Sequence, residues 1–486
     1  MKNKLIKSLI LASVIMVAAT GCGKKTDNKK TKLDPDNPVS LTIWHYYNGK
    51  QQTVFDELVE EFNSTVGKEE GIYVEGYSQG SVADLEKAVN ASLNGEVGSE
   101  KLPDIFSAYA DSAYEAQKKG KLTNLAEYFT KEELDSYVDS YIEEGYLEGD
   151  DKLYLFPVAK STEILMINKT DWEPFAETTG VTVEDLSTTE GITKAAEKYY
   201  EWTDSLTPDI PDDGKALYGR DSMSNYFIIG MKQMGTDIFE VTDGQVKFNL
   251  DKELIRRLWD NYYVPYVKGY FYSYGRFRSD DVRTGDILVY TGSISSSYYF
   301  PDSVESDDET YPIDYIACKS PLMEGGEEYR VQQGAGMAVT KSDEKHEYAA
   351  CEFLKWFTAK EQNLEFVAES SYMPVLKEAN TMEALDSIVT PKSAGINKKA
   401  YDCLKVVLTD FDKSTPYTTK NFDNGTKARK VLDYNLSDKA ANDRAEIDEK
   451  VKQGMSRSEA VKDYITDEAF DEWYNDFCEA LSESVK

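Results

Sequence analysis

Cys22 is the residue best placed for covalent chemistry. It follows Ala19-Thr20-Gly21, and a thiol directly after small residues can be alkylated by diacylglycerol and become a new amino terminus. Ahead of it, Lys2, Lys4 and Lys7 precede an uncharged run over residues 8–19. That run is shorter than the ~20 apolar residues needed to span a bilayer, so residues 1–21 read as a cleaved lipoprotein-type export signal. A diacylglyceryl group on Cys22 brings two chains and holds durably where one chain holds marginally. Residues 22–38 make a flexible linker, with no apolar side chain from Gly23 to Lys32 and with lysines able to lie near anionic headgroups.

Catalytic raw material is scarce beyond that point. The chain has two histidines, His45 and His346, which leaves almost nothing for Ser-His-Asp, Cys-His or His-rich metal sites. Cys318, Cys351, Cys403 and Cys478 have no short spacing, so no zinc pattern is present and no metal is expected. An even count outside the cytoplasm permits disulfides. Cys351 and Cys478, however, sit in amphipathic helical stretches that favour small buried thiols, and no bridge is assigned. No Walker-type or dinucleotide glycine loop appears, and no cofactor is expected. The segment from Asp209 to Gly214 resembles a calcium loop but lacks the alternate acids and final glutamate, so it reads as a turn.

What remains is oxygen and aromatic rings. There are 34 Tyr beside 19 Phe and 6 Trp, and phenol faces stack on sugar rings while their hydroxyls hydrogen-bond. Lys and Arg number 55 against 88 Asp and Glu, and the formal charge moves from −33 to −36 when the three lysines of residues 1–21 leave. Such a surface does not replace the counterions of nucleic acid, and its simplest role is solubility outside the cell.

These groups must be positioned by a large scaffold. A chain of 486 residues exceeds what one core supports, which predicts two lobes. From Val39 the pattern is strand (Leu41-Thr42-Ile43-Trp44), helix (Val54, Phe55, Leu58, Val59, Phe62), strand (Ile72-Tyr73-Val74), a parallel βαβ unit. The alternation continues through a helix over residues 82–93 to Asp104-Ile105-Phe106. Residues 153–157 and 164–167 read as extended, bracketing the polar tetrad Lys160-Ser161-Thr162-Glu163. Further strands are predicted at residues 287–290, 315–317 and 337–339, a long helix around Phe353, and a last one burying Phe470 to Leu481. The fold class is α/β.

The order of segments resembles the extracellular solute-binding proteins of ABC importers, in the large sugar-binding group that includes maltose- and glycerol-phosphate-binding proteins. The likeness spans nearly the whole chain. It rests on Leu41-Thr42-Ile43-Trp44, Leu102-Pro103-Asp104-Ile105-Phe106, the run from Phe156 to Lys169, Gly292-Ser293-Ile294-Ser295, Gly334-Ala335-Gly336-Met337-Ala338-Val339 and Tyr372-Met373-Pro374. The resemblance implies two α/β lobes joined by crossing hinge strands, with the ligand held between them. Crossings are expected near residues 158–161, Pro321 and Ser370. That puts residues 39–158 and 322–370 in the first lobe, and 161–320 and 371–486 in the second.

The resemblance also implies the site. Glu163 and Ser161 belong to the Lys-Ser-Thr-Glu motif, where the carboxylate accepts ligand hydroxyls; the other role open to Glu163 is a structural ion pair at the hinge. Asp111 corresponds to the family's first-lobe carboxylate, with Tyr109 beside it. Tyr46 lies where the first loop reaches the ligand, and Tyr372 is the aromatic of the Tyr-x-Pro element. Gly292 and Ser293 would present an N–H and a hydroxyl, and Gly334 and Gly336 would let backbone approach closely. For the three tyrosines, ordinary packing is an equal alternative.

Two features depart from the pattern: Ser371 stands where the family has glycine, and the expected Thr-Trp-Asp-Glu-Leu element has no copy around residues 186–195. The acidic extension past Lys430 is longer than the family core requires. The implied partners are a carbohydrate or a polyol phosphate and the permease subunits, for a monomer held to the membrane by its lipid alone. A glycerol 3-phosphate or phosphodiester ligand would need converging cations, for which Arg220, Arg276, Arg278, Arg330 and Arg429 are available. A lipid-anchored glycosidase needs two carboxylates, and a chemosensory or adhesive lipoprotein could reuse the fold.

Overall fold

The computed structural model describes residues 29–147, 151–306, 309–388, 398–409 and 411–486. The export signal and Cys22 lie outside the described residues. Nine strands build two main sheets: β1 (Val39–His45), β2 (Ile72–Ser78), β3 (Ile105–Ala108), β4 (Phe156–Pro157), β5 (Glu163–Asn168), β6 (Tyr218–Arg220), β7 (Val289–Ser293), β8 (Tyr315–Lys319) and β9 (Gly336–Val339). The first sheet has the order β2-β1-β3-β9-β4, with β1, β2 and β3 parallel and β9 antiparallel to both neighbours. The second has the order β8-β5-β7-β6, in which only β6 and β7 run parallel.

The parallel unit forms as the sequence periodicity requires. Helix α1 (Gly49–Ser64) buries Val54, Phe55, Leu58, Val59 and Phe62 on one stripe against β1 and β2. His45 ends β1 inside this core, its Nδ1 accepting the Tyr47 N–H, and desolvation lowers its pKa to about 4. It is therefore held as a neutral packing residue. Each sheet carries its own apolar core, one around Phe55, Phe156 and Phe353, the other around Phe227, Trp259 and Trp473. This is the two-lobed arrangement.

The lobes are joined where three segments lie side by side. Ser161 and Gln333 exchange backbone hydrogen bonds, and so do Lys160 and Met373. The second crossing thus falls at Gln333 rather than near Pro321. Residues 322–331, expected with the first lobe, pack on the second: Leu322 donates its N–H to Ser187, Met323 lies in the second core, and Glu327 bonds to Gln233. Conversely, Val375, Leu376 and Ala379, expected with the second lobe, sit in the first core, where the Val375 carbonyl accepts from Val138. The segment over residues 209–214 is a turn, as read, with Asp212 at φ 67° and its carbonyl taken by the Tyr200 hydroxyl.

Backbone conformation at the crossings explains two glycine positions. Gly334 has φ +101°, and a Cβ there would stand 3.0 Å from the Ala159 carbonyl oxygen and 3.1 Å from the Lys160 Cα. Gly336 likewise lets β9 approach the Phe156 carbonyl. Ser371, where the family has glycine, ends the helix Lys360–Ser370 at φ 58°, fully buried and with its hydroxyl unbonded. Gly334→Ala is expected to destabilise the chain by about 1–3 kcal/mol, because it forces a strained conformation against backbone. Ser371→Gly is expected to stabilise it by about 1 kcal/mol, relieving both the left-handed strain and the orphan hydroxyl. Urea midpoints that move in opposite directions at constant slope check the pair.

Candidate functional site

The carboxyl ends of parallel strands and the starts of helices surround the crossings, which is where open α/β sheets place ligands. Three of the expected residues converge there from the first lobe. Tyr46 follows β1, and its hydroxyl lies 3.3 Å from that of Tyr372. Tyr372 stacks on Phe366 at 6.5 Å and 8° between planes. Tyr109 opens helix α2 (Ala110–Lys118) and stands close enough to Tyr372 to raise its own phenol pKa further. Burial is the main cause of the raised pKa of all three phenols. Tyr109 is nevertheless 37% exposed.

The second lobe brings Tyr299 to this cluster and sets hydroxyls and one acid around Ser161 at the crossing. Tyr299 lies near enough to Tyr372 to contribute to its raised pKa, and both Tyr298 and Tyr299 are exposed. Ser161 and Ser293 share a hydrogen bond of 2.8 Å, and Ser293 reaches Ser295 at 2.9 Å. Gly292 pairs with Ile164, and its missing side chain admits Asp221, whose Oδ2 would stand 2.5 Å from a Cβ there. Asp221 follows β6 directly. Its Oδ1 accepts the Arg278 N–H at 2.8 Å, and desolvation, only partly offset by Arg278, raises its pKa to about 6.

Glu163 is buried and paired. Its side chain is 2% accessible; Oε2 binds Arg220 at 3.0 Å and Oε1 accepts from Asn225 at 2.9 Å. Asn225, in the first turn of helix α3 (Met223–Gln233), also donates to the Gln333 side chain, so the pair is tied to the second crossing. Asp111 is likewise engaged, by Arg429 at 2.7 Å. The close approach allowed by Gly334 and Gly336 is of chain on chain. Lys160, 2% exposed, donates to the Gly334 carbonyl and pairs with Glu144 at 2.6 Å.

Sequence reasoning missed Asp221, Asn225, Gln333 and Tyr299. The strand-to-helix junction after Tyr218-Gly219-Arg220 was the available signal for the first two, since such junctions face ligand crevices. A cavity of about 540 Å³ reaches Thr162 and Glu163 and is lined also by Leu186, Gln233, Leu322 and Tyr329, among others, all from the second lobe and crossing segments. None of the three clustered tyrosines reaches it. Among the described residues no group of three or more potential metal ligands occurs, and no helix is long and apolar enough to cross a membrane.

Residues 57–390 match the family model described as bacterial extracellular solute-binding protein. No curated protein matches the chain. Among solved structures, the cyclic α-maltosyl-1,6-maltose binding protein of Arthrobacter globiformis is similar at 18% identity and TM-score 0.64, over 93% of this chain and 100% of that one. The UgpB protein of Mycobacterium tuberculosis, solved with glycerophosphocholine, is similar at 16% and 0.65, over 93% and 100%. The substrate-binding protein Lmo0181 of Listeria monocytogenes, solved with cycloalternan, is similar at 16% and 0.61, over 92% and 100%. At these identities the likeness is one of fold.

Asp221 supplies a prediction with a definite sign. A carboxyl whose folded pKa lies above its unfolded value near 4 binds its proton more tightly when folded. Its contribution therefore favours folding as pH falls from about 6 towards 4 and opposes folding above that window. Asp221→Asn is expected to raise the melting temperature at pH 7 and to shrink this advantage by pH 4.5, as read by melts of both proteins across that range.

Proposed function

The chain belongs to the bacterial extracellular solute-binding proteins, and on that premise we propose that it captures a neutral mono- or oligosaccharide between its lobes and delivers it to the membrane permease of an ABC importer. The observation that carries this reading is the cluster of desolvated phenols, Tyr46, Tyr109 and Tyr372, with Tyr299 of the second lobe close to Tyr372. Such a surface offers apolar faces to ring C–H groups and a dense set of donors and acceptors to hydroxyls. It offers no group that must react, and the reading is one of capture without turnover.

Four of the five candidate arginines are already engaged, which favours a neutral solute over a phosphodiester, while the fifth, Arg276, lies over the Phe277 ring at 5.3 Å. Arg220 is held by Glu163, Arg278 by Asp281, and Arg429 by Asp111, while Arg330 bonds to the carbonyls of Phe411 and Ser414. A phosphate would have to compete with these partners. Export followed by diacylglycerol attachment at Cys22 would place the protein on the outer face of the cytoplasmic membrane, beside the permease.

Titration calorimetry of the purified protein with maltotriose, other oligosaccharides and glycerophosphocholine tests the reading. A saturable signal with the carbohydrates, without release of new reducing ends, is expected. Tyr46→Ala and Tyr109→Ala should each weaken it about five- to tenfold, corresponding to ~1 kcal/mol per aromatic contact. Binding of glycerophosphocholine alone, or turnover of any sugar, would overturn it.

A further inference from the structure

Asp111 belongs to the first lobe, yet its carboxylate is held by the second. Helix α4 (Gly425–Lys452) is fastened to the second core by Ala428, Leu432, Leu436, Ala440 and Ile447. Asp433, also on α4, accepts the Ser224 N–H at 2.7 Å at the start of α3. Only the first turn of α4 looks across to the first lobe. There Asp111 Oδ2 accepts from Arg429 Nε at 2.7 Å, and buried Oδ1 has no hydrogen-bond partner. Oδ1 faces Gly425 so closely that a Cβ would stand 2.7 Å from it. The preceding residue, Asn424, has φ 61° and gives α4 no side-chain cap. The positive end of a 28-residue helix is thus met by a carboxylate from the other lobe, one turn from a full positive charge.

Neighbouring contacts repeat the bridge. Lys118, at the end of α2, pairs with Asp423 at 2.6 Å, and Asn421 donates to the Leu147 carbonyl at 2.6 Å. The Tyr114 hydroxyl abuts Gly244, whose carbonyl accepts the Asp423 N–H at 3.2 Å. We propose that α4 is an interlobe clasp, whose first turn captures the Asp111 carboxylate when the lobes close, so that Asp111, Gly425 and Arg429 set the lifetime of the closed form without touching the solute. The proposal rests on the reading that the lobes close over a solute. It gives the carboxy-terminal segment a role, because α4 anchors the clasp to the second core.

The test reads closure on the full chain without solute. Fluorophores carried by unnatural residues at exposed Val97 and Leu206, one in each lobe, report the interlobe distance. Arg429→Gln, Asp111→Asn and Gly425→Ala are each expected to cut the ratio of closed to open forms at least threefold. Arg429→Lys, which keeps the charge, should retain most of it, and 1 M salt should weaken closure in the wild type more than in Arg429→Gln. Maltotriose, used as the probe solute, should leave the three variants at least threefold faster. Circular dichroism identifies any variant that misfolds, and the other two then decide. Three variants as closed as the wild type would overturn the clasp even if maltotriose binds. Loss of maltotriose affinity in Asp111→Asn at unchanged closure would overturn it in favour of direct contact. If no carbohydrate binds but closure still falls in the variants, the solute reading fails and the clasp stands.

Discussion

The structure depends on the bundle of three chain crossings between the lobes. Ser161 is bonded to Gln333 and Lys160 to Met373, so the three segments behave as one narrow ribbon. Inside it sits a buried ion pair, Lys160 with Glu144, whose spare lone pairs are taken by the Gln332 amide. Removing two charges from water is repaid only by good geometry and further hydrogen bonds, and one unpaired partner would be strongly destabilising. A ribbon fixed in this way lets the lobes rotate about it while each keeps its own core intact. The second pair, Glu163 with Arg220, is buried at the start of β5 and joined through Asn225 to Gln333.

Charge on the second lobe alternates from Glu163 through Arg220 and Asp221 to Arg278 and Asp281. The sequence neighbours Arg220 and Asp221 point to different partners because β6 ends between them. Arg220 stays in the sheet and turns inward, while Asp221 leaves it beside Gly292. Burial raises the pKa of both Asp221 and Asp281, and Arg278 offsets each only in part. The desolvated phenols of Tyr46, Tyr109 and Tyr372 form a surface that is polar in its atoms and dry in its setting, which strengthens each hydrogen bond a solute could make.

Much of this architecture is legible in the sequence where periodicity is strong. The stripe of Val54, Phe55, Leu58, Val59 and Phe62 between two short strands leaves a parallel βαβ unit as its only compact solution. Helix α4 was not legible in the same way: its buried face is narrow, partly alanine, and flanked by charge at almost every other position. The boundary at Pro321 misleads for a related reason. Residues 322–331 form almost no regular structure until Tyr329, and their attachment to the second lobe is made by backbone bonds to Ser187 and Gln233 that leave no mark on the local pattern.

The sequence by itself determined the α/β class, the paired cores, the tyrosine-rich and acidic character of the chain, and the poverty of catalytic groups, because these follow from composition and from short-range spacing of side chains. Only the tertiary structure decided what each carboxylate meets. Glu163 and Asp111 each pair with an arginine far away in the chain, at positions 220 and 429, whereas Asp221 accepts the Arg278 N–H beside Gly292. The physical reason is that a carboxylate's role is set by the charge and water around it. Those neighbours come from segments that folding brings together from opposite ends of the sequence.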